Sequence, residues 1–165
     1  MKYLVDSNCF IESKNVSNPL DVAVSFWNKI RDLAVSGKIY SIDKVREELL
    51  SVNDELSEWV KTNIPSSFFL STASADVMTQ YANTMAWSTG QGYQPAAIAE
   101  YAEHTRADAF LVAYAMTDPG NTKIVTNEVG GNGSVKRVKI PDACSPYCVK
   151  CVRIMQMLRE LGETF

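Results

Sequence analysis

The sequence predicts an α/β fold, a three-layer α/β/α sandwich around a mainly parallel sheet, and three observations carry that prediction. Short apolar runs (Tyr3-Leu4-Val5, Ile39–Ile42 and Ile124-Val125-Thr126) alternate with longer segments of helical periodicity. Hydrophobic residues make up 46% of 165, enough to fill one core. No repeat, low-complexity tract or linker divides the chain, so residues 1–165 read as one domain.

The elements follow in order. Met1–Val5 is strand-like and Glu12–Asp21 is a polar loop, longer than most connections. From Leu20 to Val35 apolar residues recur at helical spacing (Val22, Phe26, Ile30, Leu33), and Ser36-Gly37 stops the helix. Ile39–Ile42 is a short strand. Asp43 caps a helix whose stripe is Val45, Leu49 and Val52. Asn53 or Asp54 begins the next, which ends near Asn63-Ile64-Pro65. Helices are expected over Ala73–Trp87 and Pro95–Glu103, with a Gly-containing loop between them, and over Ala107–Met116. A strand Lys123–Thr126, a glycine-rich turn (Gly130-Gly131-Asn132-Gly133), a strand Val135–Ile140 and a helix Val152–Leu161 complete the pattern.

Charge and composition narrow the function. No apolar stretch approaches the ~20 residues of a membrane helix. Met-Lys-Tyr-Leu-Val-Asp meets a charge at Asp6, too early for a secretory leader, so a cytoplasmic location is expected. Four cysteines in such a chain read as thiols rather than disulfides. Net charge is −3, but it is uneven: residues 1–120 carry 9 basic and 15 acidic side chains, and residues 121–165 carry 7 and 4. Lys136, Arg137, Lys139, Lys150 and Arg153 thus offer a phosphate-facing surface, set against the plainer reading of solvated charge.

Four acidic residues stand at element boundaries. Asp6 closes the first strand, Glu48 lies in the Asp43 helix, Asp108 opens the apolar helix Ala107–Met116, and Glu128 follows the strand Lys123–Thr126. Strand ends of a parallel sheet converge on the edge where ligands bind. Carboxylates gathered there repel unless a cation neutralises them, and oxygen-only clusters suit Mg²⁺ or Mn²⁺. At about 100° per residue, Glu48 lies about 60° from Val45 and borders the core, while Glu47 lies about 160° away and faces water. Asn127 is placed to orient a water or a phosphate. Asp142, after Ile140-Pro141, reads as a structural cap, and the single histidine, His104, as a surface residue. The chemistry this favours is metal-dependent phosphodiester cleavage.

Four ordered blocks carry a resemblance. Leu4-Val5-Asp6-Ser7-Asn8-Cys9-Phe10-Ile11, Val45-Arg46-Glu47-Glu48-Leu49, Ala107-Asp108-Ala109-Phe110-Leu111-Val112-Ala113-Tyr114-Ala115 and Ile124-Val125-Thr126-Asn127-Glu128 resemble the blocks of the PIN domain, the nuclease fold of VapC-like toxins. The chain is similar to a branch of bacterial PIN proteins of unknown function, with an insertion after the first strand and a lysine-rich tail containing Ile-Pro-Asp. The resemblance implies Mg²⁺- or Mn²⁺-dependent cleavage of single-stranded RNA. Asp6, Glu48 and Asp108 match the metal-site acids, and Ser7 or Asn8 matches the small polar residue that bonds within the site. Glu128 stands where the family usually has aspartate, and its longer arm leaves direct or water-mediated contact open. A cognate antitoxin and a homodimer are the implied partners.

Two other readings compete. Cys144, Cys148 and Cys151 have a spacing that suits iron–sulfur ligation, but too little chain follows them for the barrel that uses it. A zinc site would need Cys9 or His104 as a fourth ligand. A PIN-like fold retained only for binding RNA or protein is the third class. Met78, Tyr81, Met85, Trp87 and Tyr93 on the middle helices either fill the core or form a partner surface.

Overall fold

Tyr3, Leu4 and Val5 point alternately to the two sides of their strand, yet none is more than 4% exposed, so both faces of the sheet are covered. In the computed structural model, which describes residues 1–165, this strand (β1, Lys2–Val5) pairs in parallel with β4 (Thr122–Val125), Leu4 opposite Ile124 and Val5 opposite Val125. Beyond β4 lies β5 (Lys150–Val152), also parallel. On the other side, Tyr40 bonds to Tyr3 and Val5, which brings in β2 (Ser41–Ile42) and its parallel partner β3 (Phe69–Leu70). The spatial order is therefore β3-β2-β1-β4-β5. Chain direction across the sheet reverses between β1 and β4, and such a switch point opens a crevice at the strands' C-terminal ends.

Helices fill both faces and complete the three-layer α/β/α fold. They are α1 (Ser7–Glu12), α2 (Val24–Val35), α3 (Asp43–Ser51), α4 (Glu55–Asn63), α5 (Ala75–Thr89), α6 (Pro95–Tyr101), α7 (Asp108–Met116), α8 (Ile140–Cys144) and α9 (Ile154–Glu160). Local chemistry sets their ends. Gly37, at φ +68°, follows α2 in a backbone that other residues adopt at a cost. Asp54 and Ser57 form a reciprocal capping box at the start of α4, and Pro95 opens α6. The carboxylate of Asp43 accepts bonds from the Thr72 hydroxyl and amide, tying α3 to the segment after β3. Eight of the nine residues of α7 are buried, so it can neither roll nor slide. Each fully buried side chain such as Leu4, Leu111 or Ile124 contributes about 1.5–3 kcal/mol.

Several boundaries differ from those expected. Val135–Ile140 is not a strand: residues 126–139 run without regular structure into α8, and the outer strand is Lys150–Val152. The terminal helix accordingly starts at Ile154, since Val152 is in the sheet. Part of the stretch expected as a polar loop is helical, α1 running to Glu12 and then into a turn of π-helix over Ser13–Ser17. Asp142 does not end a strand but lies in the first turn of α8, where its Oδ1 accepts a bond from the Gly131 amide at 2.7 Å.

Candidate active site

Asp6 is the residue immediately beyond β1, and its side chain has no exposure to solvent. Its amide bonds to the Val125 carbonyl, so the β1–β4 ladder fixes its backbone. The carboxylate does not cap α1: Thr126 Oγ1 donates to Oδ2 at 3.0 Å and Ser7 Oγ approaches Oδ1 at 3.4 Å. Burial, together with repulsion from Asp108, pushes its pKa up to about 7, against the opposing Thr126 bond; Glu128 and Glu48 add to the rise.

The other three acids converge from separate elements. Glu48 is half-buried on α3, with Oε2 accepting from Ser7 Oγ at 2.6 Å and Oε1 from the Ala107 amide at 2.7 Å, while Glu47 faces water and pairs with Lys44. Asp108 opens α7 and is 9% exposed. Its Oδ2 lies 3.3 Å from Arg137 Nη2. Glu128, two residues past Thr126, has Oε1 2.9 Å from the same nitrogen, and its Oε2 accepts from the Ile140 amide at 2.8 Å. Burial raises the pKa of Glu48, Asp108 and Glu128 alike, more than their hydrogen bonds and Arg137 lower it. Arg137 in turn is pushed up by Glu128 and Asp108, which outweigh its own partial burial.

An open cleft of about 630 Å³ runs beside Ser7, Asn8, Glu48, Asp108 and Arg137. The donor chemistry fits a hard dication: four carboxylates, all oxygen, against one guanidinium in contact. The carboxylates are nevertheless not a closed cage. No three acidic, histidine or cysteine side chains are gathered tightly enough to enclose an ion. Each is held instead by a protein donor, namely Thr126, Ser7, the Ala107 and Ile140 amides, or Arg137.

A family model described as "Domain of unknown function (DUF4411)" matches residues 3–165. The chain belongs to the DUF4411 family. No curated protein and no solved structure matches it. The DUF4411 match takes in all four carboxylates and the segment bearing Arg137, so the crevice lies wholly inside the family's domain.

Other expected residues take different places in this DUF4411 fold. Asn8 lines the cleft, and Asn127 bonds Glu12 at 2.7 Å on the surface. Lys136 and Lys150 are exposed, as is Arg153, whereas Lys139 Nζ is committed to the Val129 carbonyl at 2.8 Å. His104 is exposed beside Tyr81 and does not line the cleft. Buried Cys144 adjoins Cys151 across α8 and β5, while Cys148 is exposed on a left-handed turn, so the three thiols do not surround a common point. On α5 and the loop after it, Tyr81, Met85, Trp87 and Tyr93 pack partly buried against the core, and Met78 is 45% exposed. Reading the sequence missed Thr126 as the donor to Asp6 and Arg137 as the partner of the acids. The threonine two residues before Glu128 was the available signal for the first; nothing local signals the second.

Proposed function

We propose that this chain is a Mg²⁺- or Mn²⁺-dependent endoribonuclease that cuts single-stranded RNA. The observation that carries the reading is the convergence of Asp6, Glu48, Asp108 and Glu128 at the switch point of the sheet, with Asp6 deprived of water. The resemblance of the same four blocks to the PIN domain supplies the substrate class.

Asp6, Asp108 and Glu48 would hold the ion, with Glu128 at its margin, and when bound it supplies Lewis acidity toward water and phosphate. The residues of the chain do the rest. With its pKa pushed up to about 7, Asp6 holds a proton below neutrality and would give it up on sharing its oxygens with a bound cation. Ser7 Oγ orients Glu48 and lies against Asp6, so one hydroxyl registers two carboxylates. Thr126 holds the far oxygen of Asp6 and the Glu128 amide together. Lys136, on the exposed segment before α8, is available to a phosphate backbone.

The resemblance extends the proposal to a toxin restrained by an antitoxin, acting as a homodimer. The test is direct. Purified protein should cleave single-stranded RNA with Mn²⁺ or Mg²⁺, stop with EDTA, and lose at least ~10²-fold in rate as Asp6→Asn or Asp108→Asn. Induced expression should slow growth in proportion to that activity. Cleavage that persists in EDTA would sink the metal-dependent reading. A second reading, a binding module without catalysis, is favoured by one feature, the Arg137 ion pairs that already neutralise part of the crevice; RNA retained but uncut under the same conditions would select it.

A further inference from the structure

Arg137 is the one cation in direct contact with the crevice acids. A single guanidinium nitrogen, Nη2, spans Glu128 Oε1 at 2.9 Å and Asp108 Oδ2 at 3.3 Å, linking the segment after β4 to α7. No other neighbouring cation touches these acids, although Arg106 lines the same cleft. Arg106 pairs with Glu100 and Glu103, Lys139 holds a backbone carbonyl, and Lys136 pairs with no carboxylate.

Arg137 also has the means to move. It sits in the irregular segment 126–139, and its side chain is 41% exposed. With Asn8 and Ile11, it stands in the wall common to two open clefts. One, about 630 Å³, holds Glu48 and Asp108; the other, about 410 Å³, holds Glu12, Asn127 and Glu128. Withdrawing this side chain removes the charged part of that wall and leaves Asn8 and Ile11 in place. A guanidinium and a divalent ion cannot share these oxygens, because like charges at contact distance repel and Mg²⁺ needs its oxygens at about 2.0–2.1 Å. The guanidinium also accounts for the open arrangement of the acids: one nitrogen stands between two of them, where a dication would draw them inward.

We propose that Arg137 is an exchangeable internal counter-cation, which occupies the crevice until a divalent ion enters and then withdraws from Glu128 and Asp108. This rests on the metal-site reading above. Its energetic content is a competition: whatever Arg137 gains from Glu128 and Asp108 is subtracted from the ion's apparent affinity. An ordinary structural ion pair behaves in the opposite way, since losing it would loosen the site and weaken metal binding.

The deciding measurement is a calorimetric titration of Mn²⁺ into RNA-free protein, wild type against Arg137→Gln, with circular dichroism confirming the fold. Arg137→Gln should bind Mn²⁺ about tenfold more tightly. It should also melt lower than wild type without metal and gain more in melting temperature on adding Mn²⁺. Arg137→Lys, which keeps the charge but replaces the weakly hydrated guanidinium with a strongly hydrated ammonium, should fall between the two, and it serves as the test if the glutamine variant does not fold. Equal or weaker Mn²⁺ binding by the variants overturns the proposal, as does the absence of Mn²⁺ binding in every form. Tighter binding without RNA cleavage in any form supports the exchange and removes the nuclease reading, so the two fail separately.

Discussion

Asp6 concentrates the electrostatic tension of the fold at one residue. Its acidic neighbours are Asp108, Glu128 and Glu48, and the Thr126 hydroxyl bond opposes them. Raising a carboxyl pKa from about 4 to about 7 means the folded state binds more protons than the unfolded chain between those values. The stabilisation is complete below about pH 4 and is lost as pH rises through 7. Asp6→Asn removes the titrating group while keeping the shape. We therefore expect metal-free Asp6→Asn at pH 8 to melt at least roughly 3 °C above wild type although it is inactive, a difference that vanishes at pH 4. A variant that melts lower than wild type at pH 8 would mean that Asp6 is a structural anchor instead. The placement of this residue was legible from sequence because an aspartate closing a buried strand has few ways to stay ionised. Glu48 was legible for a geometric reason, the phase of its helix relative to Val45. Arg137 was not, because its partners lie 9 and 29 residues away and a loop aims it.

At the scale of elements, the segment between β4 and α8 is where the site and the sheet meet, and where pattern reading failed. Val138 and Ile140 alternate with Arg137 and Lys139 as a strand would and are buried, while Val135 falls on the other face and is 42% exposed. Turn chemistry overrode the alternation. Gly131 and Gly133 take positive φ, the Asn132 and Ser134 side chains accept backbone amides, and Pro141 commits the chain to α8. The true edge strand, Lys150–Val152, is three residues with Cys151 at its centre, too short for a periodic signal; its pairing with β4 is a tertiary event. The amphipathic helices α2, α3 and α4 were readable within a few residues because burial follows their period at Phe26, Ile30, Leu33, Val45 and Leu49, whereas Val22 and Val52, expected on the same stripes, lie outside the helices and are exposed. This segment also makes a testable demand at Gly130. A Cβ there would lie 2.5 Å from Asp142 Oδ1 and 3.0 Å from the Pro141 Cβ. The clash falls on the oxygen that accepts the Gly131 amide and beside the helix turn whose first amide, Ile140, bonds Glu128. Gly130→Ala should displace Glu128 and lower RNA cleavage roughly tenfold, at a stability cost of about 1–3 kcal/mol. Denaturant titration and cleavage rates on one preparation check both, and unchanged activity would detach the loop from the site.

Across the whole molecule, the two ends of the sheet respond to pH in opposite directions. At the C-terminal ends of the strands lie the acids whose pKa values burial raises. At the other end, Glu160 accepts from Lys123 and Tyr3, and Glu163 from Lys38 and Lys29, which pulls both glutamates down to about 2. Phe165 packs against Phe26 nearby, so these ion pairs fasten the last residues to α2 and β1. A carboxylate with a lowered pKa stabilises above its unfolded value and ceases to as pH falls toward 2, the reverse of Asp6. One core of 36 residues joins the two ends, so both should act on a single unfolding transition. The melting temperature of metal-free protein should therefore be highest at about pH 5 and fall on either side. Saturating Mn²⁺ should flatten the alkaline limb and leave the acid limb alone, because only the crevice acids gain a cation. Glu163→Gln should make the acid limb shallower, Glu160 supplying the rest, and leave the alkaline one alone. Differential scanning calorimetry from pH 3 to pH 8 tests the separation. If Mn²⁺ shifts both limbs equally, its binding is spread over surface carboxylates and the crevice has no special claim on it.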